Sequence, residues 1–208
     1  EMQRSLVGSE MCIRDRFTDT KATETRLKSY SGNSSKVLHI STHGFYFSPP
    51  DKDSLLDVRR VQGNSFSKAV EPMMRSGLLL SGANNIWTGR TPADISNDGV
   101  LTAYEIANLD FSNTELVVLS ACDTGLGDID YSEGIYGLQR AFRLAGVRSM
   151  IISLWKVPDE ETTALMTAFY IAWTSGLPMK QAFEKAQMDL RKRYPEEPYK
   201  WGGFVLIE

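Results

Sequence analysis

Apolar residues along this chain fall into two patterns, and the two alternate. Short runs rich in β-branched residues read as buried strands: residues 37–42, 77–82, the apolar start of 116–125, 149–154 and 204–207. Between several of them, apolar residues recur every three or four positions, as on a helix with one buried face. Ile135, Leu138, Ala141, Phe142 and Ala145 form one such face, and Gly146 stops it as a C-cap glycine does. Leu165, Ala168, Phe169 and Ala172 form a second, ended by Gly176. Pro178 opens a third helix at its first turn, carrying Ala182, Phe183, Ala186 and Leu190 inward. Shorter helices are expected over 21–30 and from Thr102 through Leu109, where Glu105 stands at capping-box spacing.

Strands alternating with helices predict an α/β fold with a mainly parallel sheet. No internal repeat and no linker divides the chain. Two stretches, 45–76 and 83–99, lack either period and read as long loops, which are usually functional or mobile.

Composition narrows the function classes. The 208 residues suffice for one domain with a normal core, and 42% apolar and 24% charged residues are ordinary for a globular protein. A net charge of −3 gives no global footprint for nucleic acid or an anionic membrane. No apolar run approaches the roughly 18 residues of a membrane span. Two cysteines make no disulfide framework, which favours a reducing compartment. Metal and cofactor chemistry are not expected: the two histidines and the cysteines fit no zinc spacing, and Gly125-Leu126-Gly127 lacks the Lys-Ser/Thr pair of a phosphate loop.

The first sixteen residues stand apart. Ser5-Leu6-Val7-Gly8-Ser9-Glu10-Met11-Cys12-Ile13-Arg14-Asp15-Arg16 resembles translated sequencing-adaptor sequence, with a natural amphipathic helix start as the alternative. Setting it aside makes Cys122 the single cysteine of the natural chain, implies that the natural protein extends further upstream, and bounds the domain at 17–208.

The candidate chemistry lies at strand ends. In open α/β sheets, ligands bind outside the carboxyl ends of the strands. His43-Gly44, Cys122-Asp123 and Trp155-Lys156 all fall there. His39 is inside its strand and reads as a packed or hydrogen-bonded residue. A free thiol, with a pKa of about 8.5, needs a base to become a nucleophile. His43 is the available imidazole, and it can also protonate a leaving amine. Gly44 leaves its backbone N–H approachable, and with the N–H of Cys122 it makes a candidate oxyanion site. A packed structural cysteine is the competing reading.

Two segments carry a family resemblance. Val37-Leu38-His39-Ile40-Ser41-Thr42-His43-Gly44 and Leu116-Val117-Val118-Leu119-Ser120-Ala121-Cys122-Asp123-Thr124-Gly125 resemble the signature segments of the CHAT domain. It is a family of caspase-like cysteine peptidases usually attached to tetratricopeptide repeats. The match continues through Glu133-Gly134, Ala141-Phe142, Ala145-Gly146 and Ser153-Leu154-Trp155-Lys156-Val157, and closes at Tyr199-Lys200-Trp201-Gly202-Gly203-Phe204-Val205-Leu206.

The resemblance implies a caspase-like three-layer α/β/α sandwich, truncated at its start, with His43 as base and Cys122 as nucleophile. It implies an endopeptidase acting on a protein or peptide substrate, in the cytoplasm, in a regulated bacterial signalling or defence pathway, with tetratricopeptide repeats upstream. By analogy with separase, the segment from Ser153 through Trp155 to Asp159 forms the substrate pocket, and Asp159 binds Arg or Lys. Asp159 as a helix cap is the equal alternative, and Asp123 either lines the pocket or is a solvated turn acid. If the pocket takes basic side chains, Arg59-Arg60 would be a self-processing site, with a merely solvated arginine pair as the alternative. Two other classes stay open: a catalytically silent interaction or scaffold module of the same fold, and a small-ligand binding domain.

Overall fold

Alternation along the central strands sets the architecture. The computed structural model describes residues 15–47, 69, 71–87, 97–120 and 131–208, without the side chains of 86–87 and 131–135. In chain order the elements are α1 (Glu24–Lys28), β1 (Val37–Ser41), β2 (His43–Tyr46), β3 (Ser76–Leu79), α2 (Asn84–Trp87) and β4 (Val100–Thr102). There follow α3 (Ala103–Ala107), β5 (Leu116–Ser120), α4 (Tyr131–Leu144), β6 (Ser149–Ser153), α5 (Asp159–Thr174), α6 (Met179–Arg193) and β7 (Phe204–Ile207).

The main sheet has the order β1-β5-β6-β7, with β1, β5 and β6 parallel and β7 antiparallel to β6. Successive side chains on a strand point to opposite faces, and here both faces are buried. Leu38, Val117, Leu119, Met150 and Ile152 pack with Ile106, Phe111, Ala141 and Phe142 from the α3–α4 side. Leu116, Val118 and Ile151 pack with Leu165, Phe169, Phe183 and Leu190 of α5 and α6. The result is the three-layer, mainly parallel α/β/α arrangement expected from the sequence.

A second sheet, order β2-β3-β4 and antiparallel throughout, departs from the sequence reading. His43 and Gly44 read as a turn at the end of one strand, yet His43 begins β2. Gly44 interrupts the β-rich pattern that would mark a strand, and the partner of β2 lies thirty-odd residues away, so nothing local signals the pairing. The three-residue strand β4 is hidden because Thr102 ends it and also caps α3, in the predicted capping box with Glu105. Most of the expected loops, 48–68 and 88–96, and with them Arg59-Arg60, lies outside the described residues.

A charged cluster ties α1 to the second sheet. The Lys28 ammonium lies 2.5 Å from buried Glu24 and 2.9 Å from Glu105, and Glu24 accepts the Gly99 N–H at 2.9 Å. Burial pushes the Glu24 carboxyl up, more than Lys28 and Gly99 pull it down. Burial works against the Lys28 ammonium too, but the two carboxylates outweigh it and raise its pKa. Lys28→Met leaves Glu24 buried without its cation, at a cost of about 2 kcal/mol at pH 7, below the fully buried case because Lys28 is partly solvated. The folded-state pKa of Glu24 then rises further above its unfolded value, so the penalty grows as pH rises through that window and shrinks in acid. Urea unfolding of the variant and wild type at pH 5 and pH 7 checks this: the difference between them is expected to be smaller at pH 5.

Candidate functional site

The site forms where β1 and β5 part company. Their register runs from Val37↔Leu116 to Ser41↔Ser120 and stops there. The next residue, Thr42, donates its hydroxyl proton to the Leu79 carbonyl of β3, drawing the chain out of the parallel sheet and into the second one. The two sheets therefore diverge at the carboxyl ends of the parallel strands, where ligand crevices form in open α/β sheets. A cleft of about 350 Å³ occupies the gap.

Three serines make its floor. Ser41, Ser120 and Ser153 each end a parallel strand and each line the cleft. By strand alternation all three fall on the α5–α6 face, in line with Val37, Leu116, Val118 and Ile151. On this face each of the three strands thus ends in a serine as it leaves the core. The Ser153 hydroxyl is buried and donates to the Leu119 carbonyl at 3.2 Å, tying β6 to β5 at the rim.

His43 lines the cleft from the second sheet, with its side chain exposed. Gly44, the next residue, is buried. The Phe47 N–H donates to the Arg75 carbonyl at 2.8 Å, which continues the β2–β3 register by one step. In an antiparallel ladder, hydrogen-bonded pairs alternate with non-bonded ones. His43 and Phe45 therefore bond across to β3, and the Gly44 N–H is directed away from β3, toward the edge of β2 that pairs with no other described strand. His39 is not among the cleft residues. Its side chain is exposed, and its Nδ1 lies 3.2 Å from the Tyr170 hydroxyl of α5.

The opposite wall comes from the segment after β6 and the start of α5: Trp155, Lys156, Val157, Asp159 and Thr162. Trp155 is 40% exposed, and its indole N–H donates to the Tyr199 carbonyl at 2.9 Å. Asp159 is the first residue of α5, whereas the cap position belongs to Pro158, so Asp159 faces the cleft from the first turn without capping it. Gly203 explains how the wall packs. A Cβ there would lie 2.3 Å from Val157 Cγ2 and 2.9 Å from Trp155 Nε1, while the Gly203 carbonyl accepts the Leu154 N–H at 2.6 Å.

Of the expected site residues, the cleft thus brings His43, Ser153, Trp155 and Asp159 together, with Gly44 adjoining His43. Cys122 and Asp123 lie outside the described residues. In sequence Cys122 follows two residues after Ser120, which lines the cleft. Sequence reasoning missed Ser41, Ser120 and Thr162. The signal for the two serines was present, as the same apolar-to-serine change at the last residue of neighbouring strands.

Replacing Gly203 with alanine is expected to push Trp155 and Val157 out of place at a cost of about 1–3 kcal/mol. Chemical denaturation measures the cost. Near-ultraviolet circular dichroism reads the altered tryptophan environment, and an unchanged spectrum would contradict this packing.

The family model of the CHAT domain matches residues 4–208. The chain is also similar to tetratricopeptide repeat protein 28 of Mus musculus, 31% identical over 109 residues, and to that of Homo sapiens, 30% identical over 109 residues. Each alignment covers 52% of this chain and 4% of the relative, so the chain spans only a small part of the length of these proteins.

Proposed function

The chain belongs to the CHAT domain family, whose fold is caspase-like, and we propose that it is a cysteine endopeptidase domain with Cys122 as nucleophile and His43 as base. The observation that carries this reading is the rim cleft. It gathers His43, the end of the strand that leads to Cys122, and the Trp155–Asp159 wall around one space large enough for a side chain of a substrate.

In the proposed reaction His43 takes the Cys122 thiol proton as sulfur attacks the scissile carbonyl carbon. The negative charge that develops on the carbonyl oxygen is held by the backbone N–H groups of Gly44 and Cys122. The orientation of Gly44 away from β3 supports that role. His43 then gives its proton to the departing amine, leaving a thioester. Water, deprotonated by His43, hydrolyses the thioester and restores the thiol.

The wall and floor of the cleft suggest what it holds. The Asp159 carboxylate, the Trp155 ring and the serine hydroxyls suit a basic side chain with a long apolar stem. Ser153 shapes the floor, and Asp123, next in sequence to the proposed nucleophile, is a second acid proposed for substrate binding. Asp159→Asn is expected to lower kcat/KM for peptides with arginine before the cut about tenfold to a hundredfold, with little change for an uncharged residue there. Equal losses on both peptides would remove the charge assignment. By the likeness to tetratricopeptide repeat proteins, repeats upstream of this domain are the proposed regulatory partner.

The relatives are named for their repeats and not for an activity, which favours a second reading, a silent scaffold module of the same fold. Two variants separate the readings. Cys122→Ala and His43→Ala are each expected to lower kcat/KM for peptide cleavage by at least about a thousandfold with unfolding curves unchanged. In parallel, a peptidyl acyloxymethyl ketone labels Cys122 in the wild type and not in His43→Ala. Full cleavage by either variant, or equal labelling in both proteins, sinks the dyad; no cleavage and no labelling in the wild type leaves the scaffold.

A further inference from the structure

The closing stretch of the family resemblance, Tyr199-Lys200-Trp201-Gly202-Gly203, plays no part in the proposed chemistry, yet it is bonded to both sides of the cleft wall. The Lys200 ammonium lies 3.2 Å from the Glu161 carboxylate and 3.1 Å from Glu197, and 4.2 Å from the centre of the Tyr194 ring. Glu161 is buried, in the first turn of α5, between the cleft residues Asp159 and Thr162. The residue before Lys200 supplies the carbonyl that accepts the Trp155 indole N–H. Three residues after it, the Gly203 backbone lies against Trp155 and Val157.

The same stretch is anchored from behind by α6. The Gln187 amide donates to the carbonyls of Trp201 and Phe204 at 3.3 and 2.8 Å, and the Trp201 indole N–H donates to the Tyr194 carbonyl at 3.0 Å. With that frame held, the ammonium of Lys200 is the link that reaches across to α5.

We infer that Lys200 is a positioning residue of the cleft: by pairing with Glu161 it locks the segment that holds Trp155 to the helix that presents Asp159, and so sets the width of the substrate pocket. The inference rests on the peptidase reading for its effect on catalysis, but the clamp itself is a physical link between named groups. Hydrogen bonding to Glu197 and then to Glu161 raises the Lys200 ammonium, so the link stays charged across the working pH range. A clamp that fixes pocket width acts on substrate binding and leaves the thiol and imidazole alone, so its loss appears in KM before kcat.

Solvent exchange of the Trp155 indole proton reads the clamp without any need for activity. Nitrogen-15 labelling of the full chain resolves it, and its absence in Trp155→Phe assigns it. In Lys200→Met this proton is expected to exchange at least about tenfold faster while amides of β5 and β6 keep their protection. Lys200→Arg restores the slow rate. Because Lys200→Met leaves Glu161 a lone buried acid, the neutral pair Lys200→Met/Glu161→Gln is measured beside it and is expected to show the same fast indole exchange. On peptides, Lys200→Met raises KM about fivefold or more with kcat within about twofold, and Lys200→Arg returns both. Wild-type indole exchange in the neutral pair, or protection lost evenly across the fold, overturns the clamp. Should the wild type cleave no peptide, the peptidase reading fails and the indole exchange alone decides the clamp.

Discussion

The parallel pairing of β1 with β5 ends at Ser41 and Ser120, and the rest of the site depends on that end. Had β1 continued beside β5, residues 42–46 would have filled the rim with another stretch of ladder. Instead the Thr42 hydroxyl commits the chain to β3, and the backbone crosses from one sheet to the other within a single residue. The gap this leaves is lined by residues that no longer need to be apolar. The change to serine at three strand ends accompanies the same break, because those positions line a cleft and not the packed core.

The wall opposite is held by a different kind of force. The floor is fixed by the sheet itself, through ladder hydrogen bonds buried between two helical layers. The wall is a loop, and it is held by side chains: an indole on a carbonyl, a glycine backbone under a ring, an ammonium on a buried carboxylate. Loops carried on a rigid scaffold are where binding residues concentrate. Here the loop is braced by the stretch that leads into β7, which is itself held by α6 and by the start of α5.

Much of this was legible in the sequence. The helix from Asp159 to Thr174 and the strand from Phe204 to Ile207 appear where periodicity put them, because a buried face with a glycine stop and a short β-rich run are strong local signals. The capping box at Thr102 and Glu105 was readable for the same reason. The places of Ser153 at the end of β6 and of Trp155 just beyond it were readable too, once strand ends were treated as the address of chemistry. What could not be read was non-local. The pairing of His43 with Leu79, which makes a strand out of an apparent turn, depends on residues far along the chain. The union of Lys200 with Glu161 has no pattern in sequence at all, since a charge pair between two helical turns looks like two solvated residues until the fold brings them together.

The bracing of the wall also has an order in time. A chain leaves the ribosome with His43 first and Tyr199 to Phe204 far later, and a domain generally folds as a unit. Until the Gly203 backbone has been made, Trp155 and Val157 lack the surface they pack against. A nascent chain without this stretch therefore cannot complete the wall of the cleft. The wall of the pocket is complete only when this later stretch has joined β6, so the site depends on residues made long after its base.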